Sequence, residues 1–384
     1  MSNGPQPSLS RVGIVGAGQL ARMMGEAAGD MGLEITVLAT TLDDAAVATC
    51  DAAILGDPKD LFALEQLAEL VDVITFDHEL VNLEHLRRLE ARGVLVRPSA
   101  DALEFAVDKA HQRRSFRDAQ IPVPDFLVVS SAQDEHLEAF LEGLDQPPVV
   151  KAARGGYDGR GVLFPNDKLE ALSMIEELCV SGEVVVEERL KLQGEVAQLI
   201  ARGVDGQVAV YPLVTTVQAN GMCIEVDYPA LATNELNETA HELGEQIASL
   251  IDAVGVLAIE FFITTSGLLV NEIALRPHNS GHWTIEGART SQFANHLLCV
   301  CGEVPGEVSP LAPSAVMVNV VGSDQPGSFE KAQAVEGALV HDYGKSWRPD
   351  RKLGHVTVLG DSREWAHVRA WESAIAYGTR TREV

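Results

Sequence analysis

Short apolar runs alternate with amphipathic stretches along the first hundred residues. Arg11–Val15, Glu34–Ala39, Ala52–Leu55, Val73–Phe76 and Val94–Val96 are compact and β-branched, which predicts strands. Between them Gln19–Ala28, Lys59–Leu70 and Leu83–Ala91 carry apolar residues at helical spacing. This alternation predicts a parallel sheet with helices on its faces. Pro98-Ser99 marks a break, and Ala100–Ala119 reads as one charged helix stopped by Ile121-Pro122-Val123-Pro124. A second α/β stretch follows, with strand Val149–Lys151, helix Lys168–Cys179 and strand Glu183–Glu187. Further strands are expected at Glu195–Ala201, Val208–Tyr211 and Thr215–Val217, then a long helix over Thr233–Val254. Ala258–Thr264 and Leu268–Ala274 predict a hairpin around Ser266-Gly267. A helix over Ser291–Val300 precedes a proline-bearing connector, Pro305 to Pro313. The remainder reads as short strands with turns and one late helix.

At 384 residues the chain is too long for one typical domain. A formal charge of −27 disfavours nucleic acid as a partner, because phosphate contacts need clustered Lys and Arg. An anionic substrate must therefore meet a local basic cluster. The five cysteines include no CxxC pair, so neither a disulfide framework nor a zinc site is expected, and a reduced, cytoplasmic protein is. The first ten residues lack an apolar core, so no signal peptide is expected. No stretch is apolar for long enough to predict a transmembrane helix.

Against this acidic background one run stands out. Lys151 ends an apolar strand and leads into Arg154-Gly155-Gly156-Tyr157-Asp158-Gly159-Arg160-Gly161. Glycines let a backbone approach a polyphosphate closely, and the cations oppose its charge. Gly16-Ala17-Gly18-Gln19-Leu20-Ala21 lies between a strand and a helix and fits G-x-G-x-x-A. The second strand, however, ends Ala39-Thr40-Thr41 and has no carboxylate for a ribose. That leaves a tight turn or an anion seat at the helix N-terminus as alternatives to dinucleotide binding. Glu260 and Glu272 sit in the two strands of the expected hairpin, with Asn271 beside them. Two acids on one face suit magnesium, which takes carboxylates together with substrate phosphates. Polar groups then crowd Arg276-Pro277-His278-Asn279-Ser280-Gly281-His282-Trp283, as in a substrate-facing loop. Lys345, Arg348, Arg351 and Lys352 put four cations in eight residues, which reads as a phosphate clamp or a solvated basic turn.

Together these residues resemble the ATP-grasp superfamily and, within it, the N5-carboxyaminoimidazole ribonucleotide synthetase family, the carboxylating ligases of bacterial and fungal purine synthesis. The resemblance spans nearly the whole chain. It rests on Gly16–Met23, on Gly155–Gly161, on Asn271-Glu272-Ile273 with His278–Thr284, and on Tyr343-Gly344-Lys345 with Arg348–His355. It implies a mixed α/β and α+β chain. A Rossmann-like (biotin-carboxylase-like) domain would span 1–104, and an ATP-grasp domain 105–304, with a lid at about 125–190. A small β-rich domain would span 305–384. It also implies roles. Lys109 and Lys151 would hold ATP phosphates, covered by Gly156 to Gly161. Glu187, Glu188 and Leu190 would edge the adenine, Glu195 would hold the ribose, and Gln218 would stand near the nucleotide where relatives often carry His. Glu260 and Glu272 would bind magnesium or manganese, with Asn271 adjacent. Tyr157, Asp158, Arg276, His278 and Asn279 would lie near bicarbonate and the aminoimidazole, with Asp158 handling the amine proton. Lys345, Arg348, Arg351 and Lys352 would hold the ribonucleotide phosphate, helped by Gln19 and Glu79. Leu275 replaces a proline that many members have. The partners implied are ATP, bicarbonate and 5-aminoimidazole ribonucleotide, with a homodimer as the assembly. Three rivals remain: a formate-using glycinamide ribonucleotide transformylase, an NAD(P)-dependent oxidoreductase, and a nucleotide sensor that has lost its chemistry.

Overall fold

The structure, a computed structural model, describes residues 9–155, 161–219 and 221–380. Four parallel strands open it in the order Ala52–Leu55, Glu34–Ala39, Arg11–Val15, Val73–Phe76. Val12, Ile14, Val37, Val73 and Ile74 are fully buried, as expected of strands covered by helices on both faces. Val94–Val96 does not become a fifth strand. It makes a single parallel bridge, Ile74 to Val96, and Pro98 two residues on has no N–H to continue a ladder.

The charged stretch expected as one helix is two, Ala100–Val107 and Lys109–Asp118. Asp108 breaks it with an extended backbone (φ −120°, ψ 101°). Its carboxylate accepts the N–H groups of Ala110 and His111 and so caps the second helix. The break turns the Lys109 amide onto the carbonyl of Ala153, at 2.8 Å, which anchors this helix beside the glycine run.

A small antiparallel sheet comes next, in the order Phe126–Val129, Val184–Glu187, Val149–Ala152, Val162–Leu163. Helices Leu137–Gly143 and Lys168–Cys179 close its outer face through Leu137, Leu141 and Ile175. The second of these helices has the bounds the sequence predicts.

The remaining strands form one large nine-stranded sheet. It runs Gly267–Ala274, Gly255–Thr264, Gly194–Arg202, Val214–Ala219, Met222–Tyr228, Ser314–Val321, Lys352–Gly360, Ala338–Asp342. Val208–Val210 pairs to the side of Gly194–Arg202. Met222–Tyr228 has no counterpart among the expected strands. Its alternate residues Glu225 and Asp227 are buried, against the usual rule. The C-terminal helix Arg363–Tyr377 explains why. Arg363 pairs with Asp227, the Trp371 indole donates to Glu225 at 2.5 Å, and His367 lies 3.3 Å from the same carboxylate. Ser314–Val321 pairs directly with Met222–Tyr228, so C-terminal strands extend the central sheet without a gap. Thr233 caps a helix over Asn234–Ile251, shorter than expected because Asp252 turns left-handed at φ 53°.

The first sheet is tied to the large one through a buried imidazole. His296 Nδ1 accepts the Val256 N–H at 3.0 Å, so Nε2 carries the proton and donates to Thr75 Oγ1 at 2.7 Å. Burial pushes His296 down to about 3. The unfolded chain therefore binds a proton that the folded chain excludes, and the linked stability is lost as pH falls below the ordinary value of 6.5. At pH 5 this histidine costs about 2 kcal/mol relative to neutral pH. Calorimetric melting temperatures should fall from pH 7 to pH 5, and fall less in His296→Gln. An equal fall in both proteins would contradict this role.

Candidate active site

The hairpin forms as the sequence predicts, turning through Gly267 at φ 117°. Its register sets Glu260 directly opposite Glu272, so both side chains leave the same face. Burial, then the charges of Glu272 and Glu195, push the Glu260 carboxyl up to about 8. Two carboxylates held this way repel one another, and a cation between them removes the cost.

Across the cleft lies a buried ion triad. The Lys151 ammonium is 2.5 Å from Glu187 Oε2, and the Arg113 guanidinium donates to Oε1 at 2.6 Å. All three residues are almost fully buried. Burial alone would favour a neutral Glu187, but the Arg113 and Lys151 charges overcome it and hold the carboxyl at about 2. Arg113 also donates to the Asn271 carbonyl at 2.6 Å and to Gln112 Oε1 at 2.6 Å. It thus joins the strand that ends in Glu187 to the strand that carries Glu272. Sequence reading missed Arg113, because it is one of several cations in a helix that looks solvated.

The polar segment after the hairpin closes the end of the cleft. Glu79 accepts Arg276 Nε at 2.6 Å and the Leu275 N–H at 3.2 Å, so it holds this turn from the first sheet. His278 Nε2 is 3.7 Å from Glu260 Oε1. Burial, then Arg276 and Lys352, push His278 down to about 3. A neutral imidazole results, able to donate an N–H but not to act as an acid near neutral pH.

Glu79, Gln112, Lys151, Glu187, Glu260, Asn271, Glu272, Arg276 and His278 line a cleft of 640 Å³, which also receives Gln19, Lys109, Glu188, Leu190, Glu195, Gln218, Asn279 and Lys352. A second cavity of 780 Å³ adjoins it and shares Asp77 and His78. Lys345, Ser346 and Arg351 line this one, opposite the turn Gly16-Ala17-Gly18. Arg351 is braced on Ser346 Oγ at 2.8 Å, and Lys345 donates to Gln19 Oε1 at 2.5 Å. Of the four expected clamp cations, Lys345 and Arg351 meet here and Lys352 faces the first cleft. Arg348 is exposed and lines neither. Gly161 sits at φ 82°, its carbonyl accepting from Ala152. Gly156, Tyr157, Asp158, Gly159 and Arg160 lie outside the described residues.

The G-x-G turn has its own anion. Asp77 accepts the Gly18 N–H at 2.9 Å and the Ala21 N–H at 2.8 Å, filling the helix N-terminus where a pyrophosphate would sit. A Cβ on Gly18 would lie 2.5 Å from Asp77 Oδ2, so the glycine is needed for this side chain rather than for a dinucleotide. The oxidoreductase reading therefore loses its phosphate seat. Among the described residues no helix is long and apolar enough to cross a membrane.

A lysine-bearing small sheet facing a carboxylate hairpin defines an ATP-grasp enzyme, and residues 114–293 match the ATP-grasp domain family. Residues 9–107 match the ribonucleotide synthetase preATP-grasp domain, and 315–369 the phosphoribosylaminoimidazole carboxylase C-terminal domain. The N5-carboxyaminoimidazole ribonucleotide synthase of Mycobacterium bovis is 44% identical over 91% of this chain and 83% of its own. The chain belongs to the N5-carboxyaminoimidazole ribonucleotide synthase family, as its motifs imply. Among solved structures, the synthetase of Thermus thermophilus superposes with a TM-score of 0.86 at 35% identity, covering 97% of this chain and 99% of that one. The Aspergillus clavatus enzyme in complex with ADP and 5-aminoimidazole ribonucleotide gives a TM-score of 0.86 at 28% identity, covering 96% and 99%.

Arg113→Met should leave Glu187 one cation short and destabilise the fold by about 3 kcal/mol. Arg113→Lys should recover part of that. Urea unfolding of both variants checks it, and an unchanged midpoint in Arg113→Met would refute the triad's structural weight.

Proposed function

We infer that this protein carboxylates 5-aminoimidazole ribonucleotide with bicarbonate at the expense of ATP, giving N5-carboxyaminoimidazole ribonucleotide, ADP and phosphate in de novo purine synthesis. The observation that carries the reading is the pair of joined cavities. One has a buried lysine facing two carboxylates, as a nucleotide needs. The other has a cationic wall of Lys345 and Arg351, as a ribonucleotide phosphate needs. Family membership and a relative solved with ADP and 5-aminoimidazole ribonucleotide support it.

Bicarbonate is a poor electrophile. One of its oxygens attacks the γ-phosphorus of ATP, the bond to ADP breaks, and carboxyphosphate forms. The aminoimidazole nitrogen then attacks the activated carbon, or carbon dioxide released from it in place. Phosphate leaves and takes up the proton that the nitrogen gives up. Such phosphoryl transfer needs positioning and charge neutralisation more than covalent help. Lys109 and Lys151, which line the cleft, would hold the ATP phosphates, and Arg276, fixed by Glu79, would face the transferred group. Glu260 and Glu272, with Asn271 beside them, fit magnesium through their opposed carboxylates, and the ion would supply charge neutralisation at the phosphate oxygens. His278, neutral, donates its N–H to an oxyanion without releasing a proton. The phosphate of the ribonucleotide would lie against Lys345, Ser346 and Arg351, with its ring reaching past His78 and Gln19 into the cleft.

Phosphate release from ATP should depend on bicarbonate and rise strongly with 5-aminoimidazole ribonucleotide. Formate in place of bicarbonate, with glycinamide ribonucleotide, should give nothing; turnover there would favour the transformylase. Binding of ATP without turnover would favour a sensor. Lys345→Ala should raise the KM for the ribonucleotide about tenfold or more and leave the KM for ATP within about twofold. Glu272→Gln should lower kcat by about a thousandfold in a folded protein. An equal loss of ATP affinity in Lys345→Ala would contradict the division between the two cavities.

A further inference from the structure

Gln292 opens the helix Gln292–Cys301 and is fully buried. Its carboxamide has one possible orientation. Oε1 lies 2.8 Å from the His278 N–H, and Nε2 lies 2.8 Å from the His278 carbonyl. A backbone N–H only donates and a carbonyl only accepts, so these two partners decide which end is nitrogen. The second hydrogen on Nε2 meets His282 Nδ1 at 3.1 Å. An amide nitrogen only donates, so Nδ1 must accept, and the imidazole proton of His282 resides on Nε2. Ser280 N–H donates to His278 Nδ1 at 3.3 Å, so the Ser280 hydroxyl, 2.9 Å from the same nitrogen, is a donor to it too, and that imidazole is protonated on Nε2 as well. Both histidines line the cleft.

The amide is itself clamped. The Gln292 N–H donates to Thr284 Oγ1 at 2.9 Å, and Thr284 Oγ1 donates to the Gly281 carbonyl at 2.6 Å. A Cβ on Gly281 would come within 2.4 Å of Gln292 Oε1, so the turn is packed against the carboxamide with no room to spare. Burial, then the charges of His278 and Lys352, hold His282 well below its ordinary range, so it stays neutral.

We propose that Gln292 is a positioning residue for the carboxylation. Two of its hydrogen bonds set the backbone of His278, and the third selects the tautomer of His282, so that this cleft-lining imidazole keeps its proton on Nε2. This rests on the carboxylation reading given above. Its chemical sense is that carboxyphosphate and the product carbamate both break down when protonated. Neutral N–H donors hold an oxyanion without supplying that proton.

The test uses the full-length, ligand-free protein labelled with 15N-histidine, with the His282 signals assigned by their loss in His282→Asn. At pH 7 the wild type should show a protonated Nε2 and an unprotonated, hydrogen-bonded Nδ1. Gln292→Glu keeps the acceptor for the His278 N–H but sets an oxygen against Nδ1. The proton should then move to Nδ1, and kcat should fall about a hundredfold with the KM for ATP within about twofold. A wild-type spectrum with the proton on Nδ1 would overturn the proposal. So would a Gln292→Glu enzyme with wild-type kcat, or one whose loss falls equally on the KM for ATP, the mark of a purely structural residue. If that variant does not fold, the wild-type spectrum decides alone. A wild type whose ATP turnover ignores 5-aminoimidazole ribonucleotide would instead defeat the carboxylation reading, and leaves the spectrum intact as a separate result.

Discussion

A carboxylate buried between two cations is the constraint on which this active site depends. Glu187 ends a strand of the small sheet, Lys151 lies on the neighbouring strand, and Arg113 reaches in from a helix. None of the three can be buried alone, because an unpaired charge in such a place costs several kcal/mol, so the three elements must arrive together. Arg113 extends the constraint by taking the Asn271 carbonyl, one residue before Glu272. Lys151 and Glu272 are thereby held on opposite walls of one cleft. The nucleotide site is in this sense a by-product of satisfying a buried charge.

A second consequence is the local reversal of charge. The chain carries −27 overall, yet Lys109, Lys151, Lys352, Lys345 and Arg351 converge on two adjoining cavities. Fields from the distant acidic surface are screened over about 8 Å in physiological salt, so these local cations decide what enters. Neutral His278 and His282 add N–H donors without adding acid.

Much of this was legible in the sequence wherever the signal was local. The apolar runs around Ser266-Gly267 predicted the hairpin, and the expected pairing of its strands put Glu260 and Glu272 on one face. Met222–Tyr228 was missed because its burial of Glu225 and Asp227 depends on Arg363 and Trp371, well over a hundred residues away. The helix break at Asp108 was missed because the same residue type is tolerated in a charged helix, and only its capping geometry declares the break. The glycines at 16 and 18 left a tight turn, an anion seat and a dinucleotide open as alternatives, and the anion they admit is Asp77, on another strand's end. Arg113 and Gln292 were invisible for a common reason: each acts through partners that are distant in sequence. Family resemblance, by contrast, was legible in short motifs such as His278–Trp283 and agrees with the matched relatives.

We infer that bicarbonate is phosphorylated in this cleft before it meets the amine. Turnover with 18O-labelled bicarbonate, ATP and 5-aminoimidazole ribonucleotide tests it most directly, with mass analysis of the phosphate released. The oxygen that attacks phosphorus stays with it when the carbon is transferred. One labelled oxygen is expected in each phosphate, and unlabelled phosphate formed alongside the carboxylated product would rule out phosphorylation of bicarbonate before carbon transfer.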